Sequence, residues 1–211
     1  MTFCFTFFAF CPPLPSFASM SKSRIAIFAS GNGTNAEAIM KYFNGHPSIE
    51  VAILLSNNPQ AFALERAKKF SVPTHVFTRG QFRISSDVLE ELVKQKVTHV
   101  VLAGFLWLIP EYLIKAYPGR ILNIHPALLP AFAGRGMYGM KVHEAVKKSG
   151  EKETGITIHE VNDKYDDGRI IFQDRCTISS DDTPEQIASK VHKLEYAHYP
   201  EVIDRWINEG K

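Results

Sequence analysis

RILNIHPALLP, residues 120–130, decides how the rest of the chain is read. Residues 120–124 are apolar enough for a short strand at an inner position of a sheet, and Asn123, His125, Pro126 and Pro130 gather at its carboxyl end. In an open α/β sheet ligands bind at that edge. An amide and an imidazole two positions apart thus leave the apolar run where a pocket would open. Taken alone, the segment also fits a histidine satisfied by a turn before proline; a second, acidic stretch at residues 163–168 gives it a partner.

Upstream, strands and helices alternate. Residues 24–29 form a compact Ile/Ala/Phe run suited to a strand buried on both faces. Gly31, Asn32, Gly33, Thr34 and Asn35 follow, ahead of a helical pattern through Ala36, Ile39, Met40 and Phe43. Strand, glycine loop and helix in that order let backbone N–H groups and a helix N-terminus hold a phosphate. With Ala36 the spacing is G-x-G-x-x-A, the dinucleotide pattern. That pattern also needs an acid at the end of the second strand, whereas residues 49–55 run into Ser56-Asn57-Asn58-Pro59 and carry Glu50 at their beginning. A monophosphate, aided by the side chains of Thr34 and Asn35, suits the loop better than a pyrophosphate; a tight turn with no ligand is the alternative.

Residues 61–70 read as a helix, 72–77 as a strand, and 78–85 as a loop carrying Arg79 and Arg83. A helix capped by Ser85 or Ser86 runs to about residue 96, before the buried strand 98–103. Four strand-then-helix units argue a parallel sheet with helices on both faces. After Gly104, residues 105–110 (FLWLIP) are either core or the wall of a pocket for a flat aromatic ligand. Residues 111–117 form a short helix leading back to the focal strand.

Downstream of Pro130, residues 131–139 make a glycine-rich loop expected to be mobile and to lie over the pocket, and a helix over 140–148 carries His143. Strands at 154–161 and 170–176 lie so close in sequence that they pair antiparallel around the polar turn 162–168. A terminal helix begins at Thr183-Pro184-Glu185 and reaches residue 208, with a kink or break expected at Pro200. The whole is one three-layer α/β domain, Rossmann-like, with a mostly parallel central sheet and an antiparallel C-terminal portion.

In the 211 residues, 24 Lys and Arg face 22 Asp and Glu, so no bulk field draws nucleic acid or membrane. Cys4, Cys11 and Cys176 are too few and scattered for a disulfide framework, and a reducing, cytoplasmic setting is expected. Residues 1–20 read as an extension, disordered or not native, because Met20 opens a conventional start, MSKSRIAIFAS; the domain proper is 21–211.

Eight histidines raise the question of a metal, but no HExxH occurs, and gathering His125, His143, His159, Asp166 and Asp167 into a ligand set requires contacts the sequence does not establish. No GxSxG elbow is present either. What remains is Asn123, His125 and one carboxylate from residues 163–167. An amide and an imidazolium can donate hydrogen bonds to a developing oxyanion, and an imidazole can move a proton near neutrality. This suits direct attack of a bound amine, or of water, on an acyl carbon.

From residue 24 onward the chain resembles the folate-dependent phosphoribosylglycinamide formyltransferase family. The resemblance is carried by IAIFASGNGTN (25–35), HVVLAGFLWLIP (99–110), ILNIHPALLP (121–130), NDKYDDGRII (162–171) and VHKLEYAHYP (191–200). The middle motifs are shared with other formyltransferases and with formyltetrahydrofolate deformylase, while the glycine loop and the last motif point to the ribonucleotide enzymes. The resemblance implies transfer of a formyl group from 10-formyltetrahydrofolate, as co-substrate, to glycinamide ribonucleotide, without a metal, by a monomer or weak homodimer. It implies catalytic roles for Asn123, His125 and Asp166. Ribonucleotide contacts would come from Gly31, Asn32, Gly33, Thr34, Asn35, Arg83, His143 and Glu195, with Glu195 receiving the glycinamide amine. The folate would lie against Leu106, Trp107, Leu108, Ile109, Asn123, Asp163 and Asp166. Two departures stand out: Asp167 occupies a position where the family often has glycine, and Trp107 one where relatives can have arginine.

Overall fold

The computed structural model describes residues 22–209, so the expected extension lies outside the described residues. Strand β1 (Ser23–Phe28) shows how the layers arise. Strand side chains alternate between faces, so Ile25 and Ile27 enter one apolar layer while Ala26 and Phe28 enter the other. All four are fully buried.

The first layer holds α1 (Thr34–Tyr42), α2 (Phe62–Lys69), α6 (Met140–Ser149) and α7 (Pro184–Glu209), through residues such as Ile39, Leu64, Val142 and Val191. The second holds α3 (Arg79–Arg83), α4 (Asp87–Lys94) and α5 (Glu111–Ala116), through Phe82, Val88, Leu92 and Leu113. Between them lie β1, β2 (Ile49–Ser56), β3 (Thr74–Val76), β4 (His99–Leu102), β5 (Ile121–His125), β6 (Glu153–Glu160) and β7 (Ile170–Thr177). Their order across the sheet is β3-β2-β1-β4-β5-β6-β7. Every pairing from β3 to β5 is parallel; β6–β7 is antiparallel, as their short connection predicts, and β5–β6 is antiparallel as well, across a longer connection that contains α6.

Strand order reverses between β1 and β4, so the loops that follow them separate there and open a crevice at the carboxyl edge. Two hydrogen bonds tie its floor: Ser30 N–H donates to Gly104 O (3.1 Å), and Leu106 N–H donates to Ser30 Oγ (3.1 Å). Beneath it the buried Tyr199 hydroxyl is shared between the carbonyls of Leu102 on β4 and Leu122 on β5, at 2.9 and 3.2 Å. One α7 side chain thereby ties together β4 and β5, the neighbouring strands beneath the site.

Two expectations need correction. Residues 78–85 are not all loop, because Arg79–Arg83 is helical. Its signal is a capping box: Gln81 N–H donates to Thr78 Oγ1 (3.3 Å), and Thr78 N–H donates to Gln81 Oε1 (2.8 Å). Of the kink or break expected at Pro200, the break does not occur, since the terminal helix is continuous over Pro184–Glu209. Tyr199, Pro200, Val202, Ile203 and Trp206 are buried along one face, and this packing outweighs the single backbone bond that proline removes.

Candidate active site

One cavity of about 670 Å³ occupies the crevice, a volume within the range of small-molecule sites. Both layers reach it because it lies at the sheet's edge.

Its first end is built by the loop after β1. Gly31, Asn32, Gly33, Thr34 and Asn35 all line the cavity. Gly33 is the N-cap of α1 at φ +73°, with no side-chain cap, so the first-turn N–H groups are left for a ligand. A Cβ at Gly33 would lie 2.5 Å from the Ala63 methyl carbon, so both the backbone conformation and the packing on α2 call for glycine. Arg66 on α2 steadies the loop from behind, donating to Asn32 O (2.8 Å) and Asn32 Oδ1 (3.1 Å) and pairing with Glu37. Asn35 Nδ2 donates to Glu195 Oε2 (3.0 Å), while Asn35 Oδ1 is buried without a partner. Burial pushes the Glu195 carboxyl up to about 7, against the opposing effect of the Asn35 amide. One turn earlier on α7, His192 also lines the cavity, its ring 6.2 Å from that of the buried His143. Burial, with smaller contributions from His192 and His125, lowers His143 to about 4, so its ring is neutral near pH 7.

The other end is built on β5. Asn123 and His125 are two apart on the strand and share a face, and the antiparallel register sets His159 opposite Asn123 and Thr157 opposite His125. His159 Nδ1–H donates to Glu160 O (2.8 Å), which leaves Nε2 bare to accept from Asn123 Nδ2 (3.1 Å). Burial lowers the His159 pKa, in keeping with a neutral ring. The Asn123 amide is therefore held with one N–H engaged and its second N–H free to point at a ligand.

His125 Nε2–H donates to Phe132 O (2.9 Å), and Nδ1 lies 3.6 Å from Asp166 Oδ1. Both ring nitrogens thus face oxygens, which favours the doubly protonated ring. Burial is the larger influence and lowers the His125 pKa from its ordinary 6.5, with Asp166 and the Phe132 carbonyl opposing it. Asp166 sits in the turn after β6 at φ +53°, a left-handed conformation that aspartate tolerates, and its Oδ2 accepts from Gly134 N–H (3.0 Å). Gly168 closes that turn; a Cβ there would collide with Glu160 O at 1.6 Å. Asp167 faces outward instead, 3.7 Å from Lys164 Nζ, so of the two adjacent acids Asp166 is the one beside His125.

Between the ends stand Leu106, Trp107, Leu108 and Ile109. Trp107 is braced by Phe77 and Phe82, at centroid distances of 6.1 and 5.7 Å, so its ring is fixed as a wall.

Two expected site residues are not brought here. Arg83 is exposed on α3, which packs in the layer opposite α1, with Phe82 turned inward in its place. Asp163 is exposed, and Lys164, Tyr165 and Asp166 are the residues of its turn that line the cavity. His159 and His192 line it without having been expected, and Arg135 and Tyr138 line it from the loop that was expected over the pocket. His159 is recoverable from the strand register and His192 from its helical spacing to Glu195. Among the described residues no group of three or more His, Cys, Asp or Glu side chains is arranged to hold a metal ion.

Residues 23–203 match the family described as formyl transferase. The chain is 42% identical over 188 residues to the chloroplastic phosphoribosylglycinamide formyltransferase of Arabidopsis thaliana, covering 86% of this chain and 64% of that protein. It spans a similar 63% of the corresponding protein of Vigna unguiculata. The phosphoribosylglycinamide formyltransferase of Bacillus subtilis is 40% identical over 187 residues, covering 85% of this chain and 92% of the other. A crystal structure of the Bacillus halodurans protein of that name superposes with TM-score 0.80 at 36% identity, covering 90% and 97% of the two chains.

Proposed function

The chain belongs to the formyl transferase family, among the phosphoribosylglycinamide formyltransferases, and we propose that it moves the formyl group of 10-formyltetrahydrofolate to the amine of N1-(5-phospho-D-ribosyl)glycinamide. The observation that carries this reading is the joining, in one cavity, of an uncapped helix N-terminus suited to a phosphate with the Asn123–His125–Asp166 group suited to an acyl carbon. A water-using deformylase would have no use for the first of these.

In the proposed reaction the phosphate lies on Gly31 to Asn35, and Glu195 receives the glycinamide amine. The apolar wall from Leu106 to Ile109 takes the flat ring system of the folate. The amine attacks the formyl carbon, and the oxyanion accepts hydrogen bonds from the free Asn123 N–H and from Nδ1–H of the charged His125 ring, which at 3.6 Å from Asp166 Oδ1 is not spent on that carboxylate, while Nε2–H stays on Phe132 O. The negative charge that develops beside His125 works against the effect of burial and favours its charged form. Asp166 orients that ring and assists passage of the amine proton to N10, so tetrahydrofolate leaves as the N10–H amine and the acceptor leaves as the formamide. No group in this sequence of steps requires a metal. We assign residues 21–211 to the catalytic domain, acting in the cytoplasm as a monomer or weak homodimer, with His143 as a neutral substrate contact. No helix among the described residues is long and apolar enough to cross a membrane.

The test is to incubate the protein with 10-formyltetrahydrofolate, with and without the ribonucleotide, and to identify products by mass. Formylated ribonucleotide in amounts equal to tetrahydrofolate is expected. Tetrahydrofolate and formate released equally well without the ribonucleotide would assign a hydrolase instead.

A further inference from the structure

Beneath the turn that follows His125 lies a closed set of hydrogen bonds whose side chains do not line the cavity. Thr157, fully buried on β6, donates through Oγ1 to Ala127 O (2.7 Å) and accepts from Leu129 N–H (2.9 Å). Gln173, on the neighbouring strand β7 and directly across from Thr157, donates from Nε2 both to Thr157 Oγ1 (2.8 Å) and to Leu129 O (3.0 Å). Two side chains from the sheet therefore hold both backbone groups of Leu129 and the carbonyl of Ala127.

What they hold leads directly to the reacting pair. Phe132 adopts φ +57°, a conformation rare for a bulky residue, and this aims its carbonyl at His125 Nε2. Two residues further on, Gly134 N–H meets Asp166 Oδ2. The segment 129–134 thus touches each member of the His125–Asp166 pair once, from a base fastened by Thr157 and Gln173. The Gln173 amide spends both N–H groups there, a task that neither an apolar side chain nor a carboxylate of the same length can perform.

We infer that Gln173, acting with Thr157 through Leu129, is a positioning residue that sets the place of the Phe132 carbonyl and Gly134 N–H, and so the orientation of His125 toward Asp166. The role in turnover rests on the proposed formyl transfer; the orientation of His125 does not. A misplacement of this kind affects the reacting geometry more than the binding of either substrate.

Steady-state kinetics and titration of the His125 ring by nitrogen-labelled NMR, in Gln173→Met, Gln173→Glu and Thr157→Ser, test this. Gln173→Met should lower kcat on the order of tenfold with both KM values within about twofold, and should move the His125 midpoint downward as its two oxygen partners loosen. Thr157→Ser, which keeps the hydroxyl, should behave as wild type in both readouts. Gln173→Glu presents a carboxylate to the Leu129 carbonyl and should lose activity near neutral pH, regaining part of it on acidification as the protonated acid recovers one donor. Should the methionine variant not fold, that pH-dependent recovery carries the same contrast. An unmoved kcat and an unmoved His125 midpoint in Gln173→Met would overturn the inference. So would a fall in kcat with the His125 midpoint unchanged, which marks general loosening. If the wild-type protein transfers no formyl group, the functional reading fails, and the titration still decides whether Gln173 positions His125.

Discussion

The two ends of the cavity, one proposed to hold the phosphate and the other proposed to carry the chemistry, are built by different means. The phosphate end is made of consecutive residues, Gly31 to Asn35, whose donors are backbone groups exposed by an uncapped helix and a left-handed glycine. The chemical end is made of side chains from separate places: Asn123 and His125 on β5, His159 on β6 and Asp166 in the turn beyond it. Local backbone geometry is suited to binding a constant group such as a phosphate. Reactivity instead needs titratable groups whose charge is set by burial and by one another, and only tertiary packing supplies that.

If this division holds, damage to the two ends should read out differently. The largest effect is expected from His125→Ala, which removes both an oxyanion donor and a route for the proton. Turnover should fall on the order of 1,000-fold with ribonucleotide KM nearly unchanged. Asn123→Ala removes one donor and should lower kcat on the order of 100-fold, again with binding preserved. A loss below about threefold in saturating kinetics would remove Asn123 from the chemical end.

Gly33→Ala acts on the other end. It introduces a Cβ into the Ala63 contact at an unfavourable φ, displacing the loop. Ribonucleotide KM should rise about tenfold, the equivalent of one charge-assisted hydrogen bond, while kcat stays within about threefold. An equal loss of kcat and no change in KM would show that the two ends are not separable at this residue.

The smallest of the expected effects is read on stability rather than turnover, in Glu195→Gln. In the folded protein the Glu195 carboxyl is raised from 4.5 to about 7, so the folded state binds more protons than the unfolded one between those values. Stability contributed by the protonated group is complete below pH 4.5 and is lost as pH rises through about 7. Glutamine cannot ionise, so thermal unfolding followed from pH 4 to 8 should decline less in the variant. Parallel curves for variant and wild type would count against a buried, raised carboxyl.

The same division explains what could be read in the sequence. The glycine loop and the Asn123-to-His125 spacing are local patterns, and both reached the cavity as expected. The parallel sheet followed from alternating strand and helix runs, and the antiparallel end from the short span between β6 and β7. His159 was weighed in the sequence only as a metal ligand, because its bond to Asn123 depends on register between strands far apart in the chain. Arg83 was expected at the ribonucleotide only from the family resemblance; a capping box at Thr78 makes its loop a helix and leaves the arginine exposed. The choice between Asp166 and Asp167 was open in sequence, since adjacent acids differ only in where a tight turn points them.

The most direct test of the division compares glycinamide ribonucleotide with the same molecule lacking its phosphate, as acceptors for the wild-type protein. A phosphate held by several N–H groups at the α1 N-terminus should contribute to binding alone. The dephosphorylated acceptor should therefore show a KM raised tenfold or more, with kcat within about threefold. Equal KM values for the two acceptors, with the loss appearing in kcat, would contradict the account.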